Sequence, residues 1–285
     1  MTTYAMTTAP DMTSDATFRA WGSAISSGMA AIGWVKVTDA SQINWTTVTK
    51  PTLANTAAGY EIWGMNDALQ STAPFYLKIE YGSGNIAAAP GMWFTIGTAQ
   101  NGSGTLTGNV GTRRQLQIGN GTTAYVHKFS GTSSRLTGGL WWGANNSSCM
   151  TAAFVERTHD ATGADTAEGT ISFFGNGYGN FFQSQYVPSI GTVPSAYTTS
   201  SLGCTAPSSG SGTLGANVYL YPCRVFGPGE MAPFLGCVGY FNSDVSTGST
   251  VTVTTWAGSN KTMYLANGWT SFNYGGALAM GILYE

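Results

Sequence analysis

The stretch AGYEIWGMNDALQSTAPFYLKIEYGSG, residues 58–84, decides the architecture of the chain. Its first arm, Tyr60-Glu61-Ile62-Trp63, and its second, Phe75-Tyr76-Leu77-Lys78-Ile79-Glu80-Tyr81, are rich in aromatic and β-branched residues, which suit a pleated surface. Both predict strands. Between them Asn66-Asp67 supplies turn formers and Pro74 lacks the amide that a continuing helix needs, so the chain must reverse. In the second arm Phe75, Leu77, Ile79 and Tyr81 alternate with Tyr76, Lys78 and Glu80, which buries one face of the sheet and leaves the other wet. Gly82-Ser83-Gly84 marks a turn, and Met92-Trp93-Phe94-Thr95-Ile96 predicts the next strand. The expected fold class is all-β, an antiparallel β-sandwich or jelly-roll-like body.

Toward the N-terminus, Ser14 or Asp15 can cap a helix, and Phe18, Trp21, Ile25, Met29 and Ile32 recur every three or four residues. This spacing predicts one amphipathic helix ending near Gly33, free to pack on the β body or to reach a neighbour. Trp34-Val35-Lys36-Val37 predicts a strand, and the alternation over 43–49, closed by Pro51, predicts another. Residues 1–13, polar and Thr-rich, are expected to form an arm that orders only against a partner.

Downstream, the Gly/Thr/Ser/Asn run 97–111 predicts a loop or wide hairpin connection. Residues 113–118 and 123–129 flank Gly119-Asn120-Gly121, a short-hairpin signal. Residues 136–142 and 152–156 predict an adjacent pair, followed by a polar insert at 157–169 and a strand at 170–174. A long passage, 175–217, alternates aromatic clusters with Gly, Ser and Pro; loops of that length serve function or interfaces. Strands resume at 218–221, 234–240, 250–256, 262–265 and 277–284. The division expected is an arm at 1–13, a helix plus β region at 14–130 and a C-terminal β region at 131–285. Ser130 to Ser134 is the candidate boundary, unless both regions form one continuous β domain.

Charged residues are 8% of the chain, against roughly 25% in ordinary soluble domains, and the net charge is -2. Ser, Thr, Asn and Gly therefore make most of the polar surface, and such a surface repels neighbours weakly. No electrostatic reason to bind nucleic acid exists. Residues 1–6 lack the basic start and apolar run of a signal peptide, and no stretch is apolar enough to span a membrane. Cys149, Cys204, Cys223 and Cys237 form no CxxC pair, so free thiols are expected ahead of a disulfide.

Catalytic residue types gather only at Glu156, His159, Asp160, Asp165 and Glu168. Carboxylates and an imidazole can hold a metal or exchange protons, yet the spacing follows no ligand pattern, and a solvated hairpin loop accounts for it better. A hydrolase centred on Glu156, Asp160 and Glu168 is the weakest of the functional readings. Gly175-Asn176-Gly177-Tyr178-Gly179 lacks the following helix that a phosphate loop requires. Arg113-Arg114 is expected to meet an acidic neighbour or solvent, and His127 to lie at a surface or edge. Aromatic residues, 13% of the chain, belong mostly to the core, although exposed Trp and Tyr could stack on a sugar. Neither enzyme activity nor a cofactor or metal is expected.

Three groups of segments carry a resemblance: residues 42–49; Gly59-Tyr60-Glu61-Ile62-Trp63-Gly64-Met65-Asn66-Asp67 with Leu77-Lys78-Ile79-Glu80-Tyr81-Gly82; and residues 155–163. Together with Ala277-Leu278-Ala279-Met280 they resemble structural proteins from the virion-assembly genes of tailed bacteriophages. The resemblance implies a non-enzymatic virion component, of tail, baseplate or capsid-decoration type, assembled in the host cytoplasm. Its implied partners are other virion proteins and further copies of the chain in a homo-oligomer, with neither nucleic acid nor membrane. Interface candidates are Thr2 and Asp11 in the arm, Phe18 and Trp21 on the helix, and Phe181, Phe182 and Tyr186 in the irregular passage. The alternative is a receptor- or glycan-binding module on the same particle.

Overall fold

The computed structural model describes residues 6–8, 11–84, 86–117, 125–142, 149–160, 162–176, 183–189, and strand segments within 202–283: 202–204, 213–214, 217–218, 221–227, 230–241, 250–254, 260–266 and 278–283. Its strands pair antiparallel throughout, with one N-terminal helix, so the all-β expectation holds. Strand β1 (Met6–Thr8) precedes helix α1 (Asp15–Ala31). The helix starts where the Ser14 hydroxyl accepts from the Thr17 amide at 3.1 Å and the Thr17 hydroxyl accepts from the Ser14 amide at 3.0 Å. This is a reciprocal capping box, with threonine in place of the usual Glu or Gln. Gly33, just past the end, takes φ +98°, a left-handed conformation that costs glycine little. All five residues at helical spacing are buried, Phe18 and Trp21 at 0% and 1% exposure. The helix therefore packs on its own sheet, and Phe18 and Trp21 are core residues instead of interface residues.

The first sheet runs in chain order: β2 (Val35–Lys36), β3 (Ala57–Gly64), β4 (Tyr76–Ser83), β5 (Pro90–Gln100) and β6 (Leu106–Val110), with β7 (Arg114–Gln117) also on β5. Glu61 lies opposite Ile79 and Trp63 opposite Leu77, the hairpin read from residues 58–84. Phe75, Leu77, Ile79 and Tyr81 are buried, as their alternation requires, and form one core cluster with Met92, Phe94 and Ile96 of the neighbouring strand and with the helix. Two expectations need correcting. Residues 43–49 form a turn, because the Asn44 side chain accepts from the Thr46 amide and hydroxyl while its carbonyl accepts from the Thr47 and Val48 amides. The hairpin connection expected over the whole of 97–111 is narrower than that: β5 extends to Gln100 and pairs with β6, which leaves 101–105 to join them.

The second sheet has the order β1, β8 (Tyr125–Thr132), β9 (Arg135–Trp142), β10 (Cys149–His159), β11 (Asp165–Asn176), β12 (Gln183–Pro188). Thus β7 and β8 belong to different sheets, β7 pairing with β5 and β8 with β9, so the two strands expected to flank a hairpin are not paired with each other; Gly119-Asn120-Gly121 itself lies outside the described residues. Strand β1 pairs with β8, Met6 opposite Phe129, so this part of the arm orders against its own chain. Ser130 to Ser134, the candidate boundary, spans the β8–β9 reversal. That tip is docked on the first region: the Ser133 carbonyl accepts from the Asn66 amide at 2.9 Å, and the Thr132 carbonyl accepts from the Trp34 indole at 2.9 Å. Leu136, Ala153, Val155 and Val187 join the cluster beneath α1, so one core serves both sheets.

The third sheet is built from β13 (Leu202–Cys204), β16 (Tyr221–Gly227), β17 (Glu230–Phe241), β20 (Leu278–Leu283), β19 (Asn260–Ala266) and β18 (Thr250–Thr254), in that order; β14 (Thr213–Leu214) and β15 (Asn217–Val218) pair separately. Strands β17 and β20 lie against β9, and β17 also against β10. Its register places Cys204 opposite Cys223, a neighbour relation invisible in their spacing along the chain.

Candidate functional site

Strand β10 carries the residue types with chemistry, and it is covered on both sides: Phe154, Val155, Glu156 and Arg157 are each at most 1% exposed. In a regular strand Glu156 and His159, three apart, would point to opposite faces. The ladder with β11 is irregular between Arg157 and His159, where the Thr158 hydroxyl meets the Thr166 hydroxyl and donates to the Gly169 carbonyl. That break brings His159 Nε2 to 3.4 Å from Glu156 Oε2, while Nδ1 lies 3.1 Å from Asp165 Oδ1. The imidazole side chain is only 3% exposed.

Burial alone would lower the His159 pKa, but the carboxylates of Asp165 and Glu156 outweigh it and raise it to about 9. Asp165 moves the other way: burial pushes it up, and His159 with the Ser134 hydroxyl holds it below the usual value. The two acidic neighbours thus favour the imidazolium form of the ring, which has no lone pair to act as a base. The solvated-loop expectation for this cluster needs correcting. Glu156, Arg157 and the His159 ring lie inside, because the expected polar insert is strand β10 running into β11 through a short turn. That turn and the start of β11 are wet: Asp160 accepts from the Thr162 hydroxyl and from the amides of Ala164 and Thr162, which lowers its pKa. Glu168 is exposed, so the structure does not gather Glu156, Asp160 and Glu168 into one centre. Among the described residues no group of three or more His, Cys, Asp or Glu is placed to hold a metal ion.

Next to His159, Arg157 points from β10 to the turn after β3. Its guanidinium donates through Nε and Nη2 to the two Asp67 oxygens and through Nη1 to the Ala73 carbonyl at 3.0 Å. A second ionic centre, missed in the sequence, is Glu61, fully buried on the core face of β3. Its Oε1 accepts from Ser26, Lys36 and the Trp45 indole at 2.8, 2.7 and 3.0 Å. Its Oε2 accepts from the Tyr81 hydroxyl at 2.9 Å and the Trp63 indole at 3.3 Å. Burial, then this carboxylate, drives the Tyr81 pKa well above the usual phenol value. The available signal was positional: Glu61 shares a face with Trp63 and lies opposite Ile79.

Of the remaining candidates, Asp11 accepts from the Thr13 amide at 2.7 Å, ahead of the helix. Tyr186 lies on β12 opposite Ile171. Thr2, Phe181 and Phe182 lie outside the described residues. Arg113 does meet an acidic neighbour, Glu80, at 2.6 Å, and stacks over Trp93. Trp21, Trp34, Trp63 and Trp93 are all buried and offer no face to a sugar. No known family model matches the chain, and no curated protein is found to be similar to it.

Proposed function

We propose that the chain is a non-enzymatic structural component of a tailed-phage virion, assembling in multiple copies through β-rich protein contacts. It would serve as a tail or baseplate accessory, or as a capsid decoration protein. One observation carries this reading: the ionic groups on β3 and β10 are directed inward as fasteners. Glu61 ties α1, β2, β3 and β4 together, Arg157 ties β10 to the β3–β4 turn, and His159 is clamped between two carboxylates. With so few charges in the sequence, the exterior is left mainly to Thr, Ser, Asn and Gly, a surface that tolerates close packing against neighbours. The sequence resemblance points the same way.

The test is localisation in the particle. An antibody raised against the purified chain should decorate intact tailed particles at symmetry-related positions, seen by electron microscopy. Particles assembled without the gene should lose that label. Purified particles free of the chain, with all of it recovered in the lysate, would refute the proposal.

A further inference from the structure

Among the described residues, most sheet edges are protected. Strand β2 has two residues, one of them Lys36; β1 and β13 have three each. Strand β6 is bent by an extra residue at Gly108, φ +72°, opposite the break between Gly97 and Ala99. Strand β12 ends on Pro188 and lies against β5 and β6. Short length, bulges, lysine and proline are the usual means of stopping edge-to-edge pairing.

Strand β18, Thr250-Val251-Thr252-Val253-Thr254, has none of them. It pairs with β19 in unbroken register from Thr250 opposite Tyr264 to Thr254 opposite Asn260, and it ends the sheet order. Thr252, at its centre, is exposed. The sequence of the strand also reads the same in both directions. An antiparallel pairing about a two-fold axis through Thr252 therefore places Thr250 opposite Thr254, Val251 opposite Val253 and Thr252 opposite itself. Threonine pairs and β-branched pairs are favourable cross-strand partners, and no like charges meet. A two-fold interface demands such self-complementarity.

We propose that β18 is a self-association edge, and that its occupant is β18 of a second copy, joining two third sheets into one continuous sheet. The multi-copy virion reading gives this edge its setting, but the edge can be tested on the purified chain alone. A five-residue pairing is weak by itself, and it gains strength where other contacts raise the local concentration.

Sedimentation velocity of the wild-type chain, at concentrations up to roughly 1 mM, should show reversible dimers. Thr252→Lys and Thr252→Asp each place like charges opposite one another and should weaken dimerisation about fivefold or more. An equimolar mixture of the two should dimerise again, since unlike charges then meet. Circular dichroism checks that each variant is folded. Should one unfold, the wild type still supplies a readout: amide exchange in the peptide spanning β18 should slow as concentration rises. A monomeric wild type, dimers indifferent to both variants, a folded mixture that stays monomeric, or concentration-independent exchange would each overturn the proposal. Failure here leaves particle labelling as an independent result, and a dimer in solution with no label on particles would refute only the virion reading.

Discussion

Arg157 and Asp67, 90 residues apart in the chain, form a two-pronged ion pair in which the arginine side chain has no solvent exposure. The fork geometry of guanidinium matches the carboxylate, and the third contact, to the Ala73 carbonyl, satisfies a further donor. This pair joins the central strand of the second sheet to the connection between β3 and β4, so it closes a long loop in the fold.

Breaking such a pair leaves one buried charge uncompensated. Arg157→Met should destabilise the protein by about 3–5 kcal/mol, measured by urea unfolding. Replacing both partners, as Arg157→Met with Asp67→Leu, should recover much of that loss, because the desolvation of two charges is removed together. A double variant as unstable as the sum of the two single variants would show that the residues are not coupled.

Glu61 organises five donors around one carboxylate. Glu61→Gln keeps the shape but leaves one oxygen and sets an amide N–H2 group against donors that need an acceptor. The expected loss is on the order of 3 kcal/mol, with a shift in tryptophan emission, since two of the donors are the Trp45 and Trp63 indoles. Unchanged stability and emission would mean that these donors find water instead.

The His159 clamp predicts a pH dependence with a definite sign. The folded pKa, about 9, lies above the unfolded value near 6.5. The contribution is therefore fully present below about pH 6.5 and is lost as pH rises through the folded value. Asp165, lowered in the fold, contributes above its ordinary range and loses that contribution on acidification. Unfolding free energy should accordingly fall between neutral pH and about pH 10, and His159→Gln should flatten that slope. A wild-type profile level across this interval would contradict the clamp.

Some of this was legible because it is local. The spacing of Phe18, Trp21, Ile25, Met29 and Ile32 specifies a helix, and the alternation from Phe75 to Tyr81 specifies a strand with one buried face. Neither depends on distant residues. Asn44 shows where local pattern misleads: its side chain competes for backbone amides and turns an alternating segment into a turn. The strands on either side of Gly119-Asn120-Gly121 pair elsewhere, β7 with β5 and β8 with β9, and such partner choice between sheets is not written in a local turn signal.

Periodicity and composition were enough to establish antiparallel sheets behind one capped helix, with a weakly charged exterior. The pairing of charges came from the folded arrangement alone. Glu61 with Lys36, Arg157 with Asp67, and His159 between Glu156 and Asp165 depend on register, on a break in one ladder and on the docking of two sheets, and no residue-to-residue spacing encodes these. A side chain's pattern tells which face it occupies; what stands opposite that face is settled when the layers close.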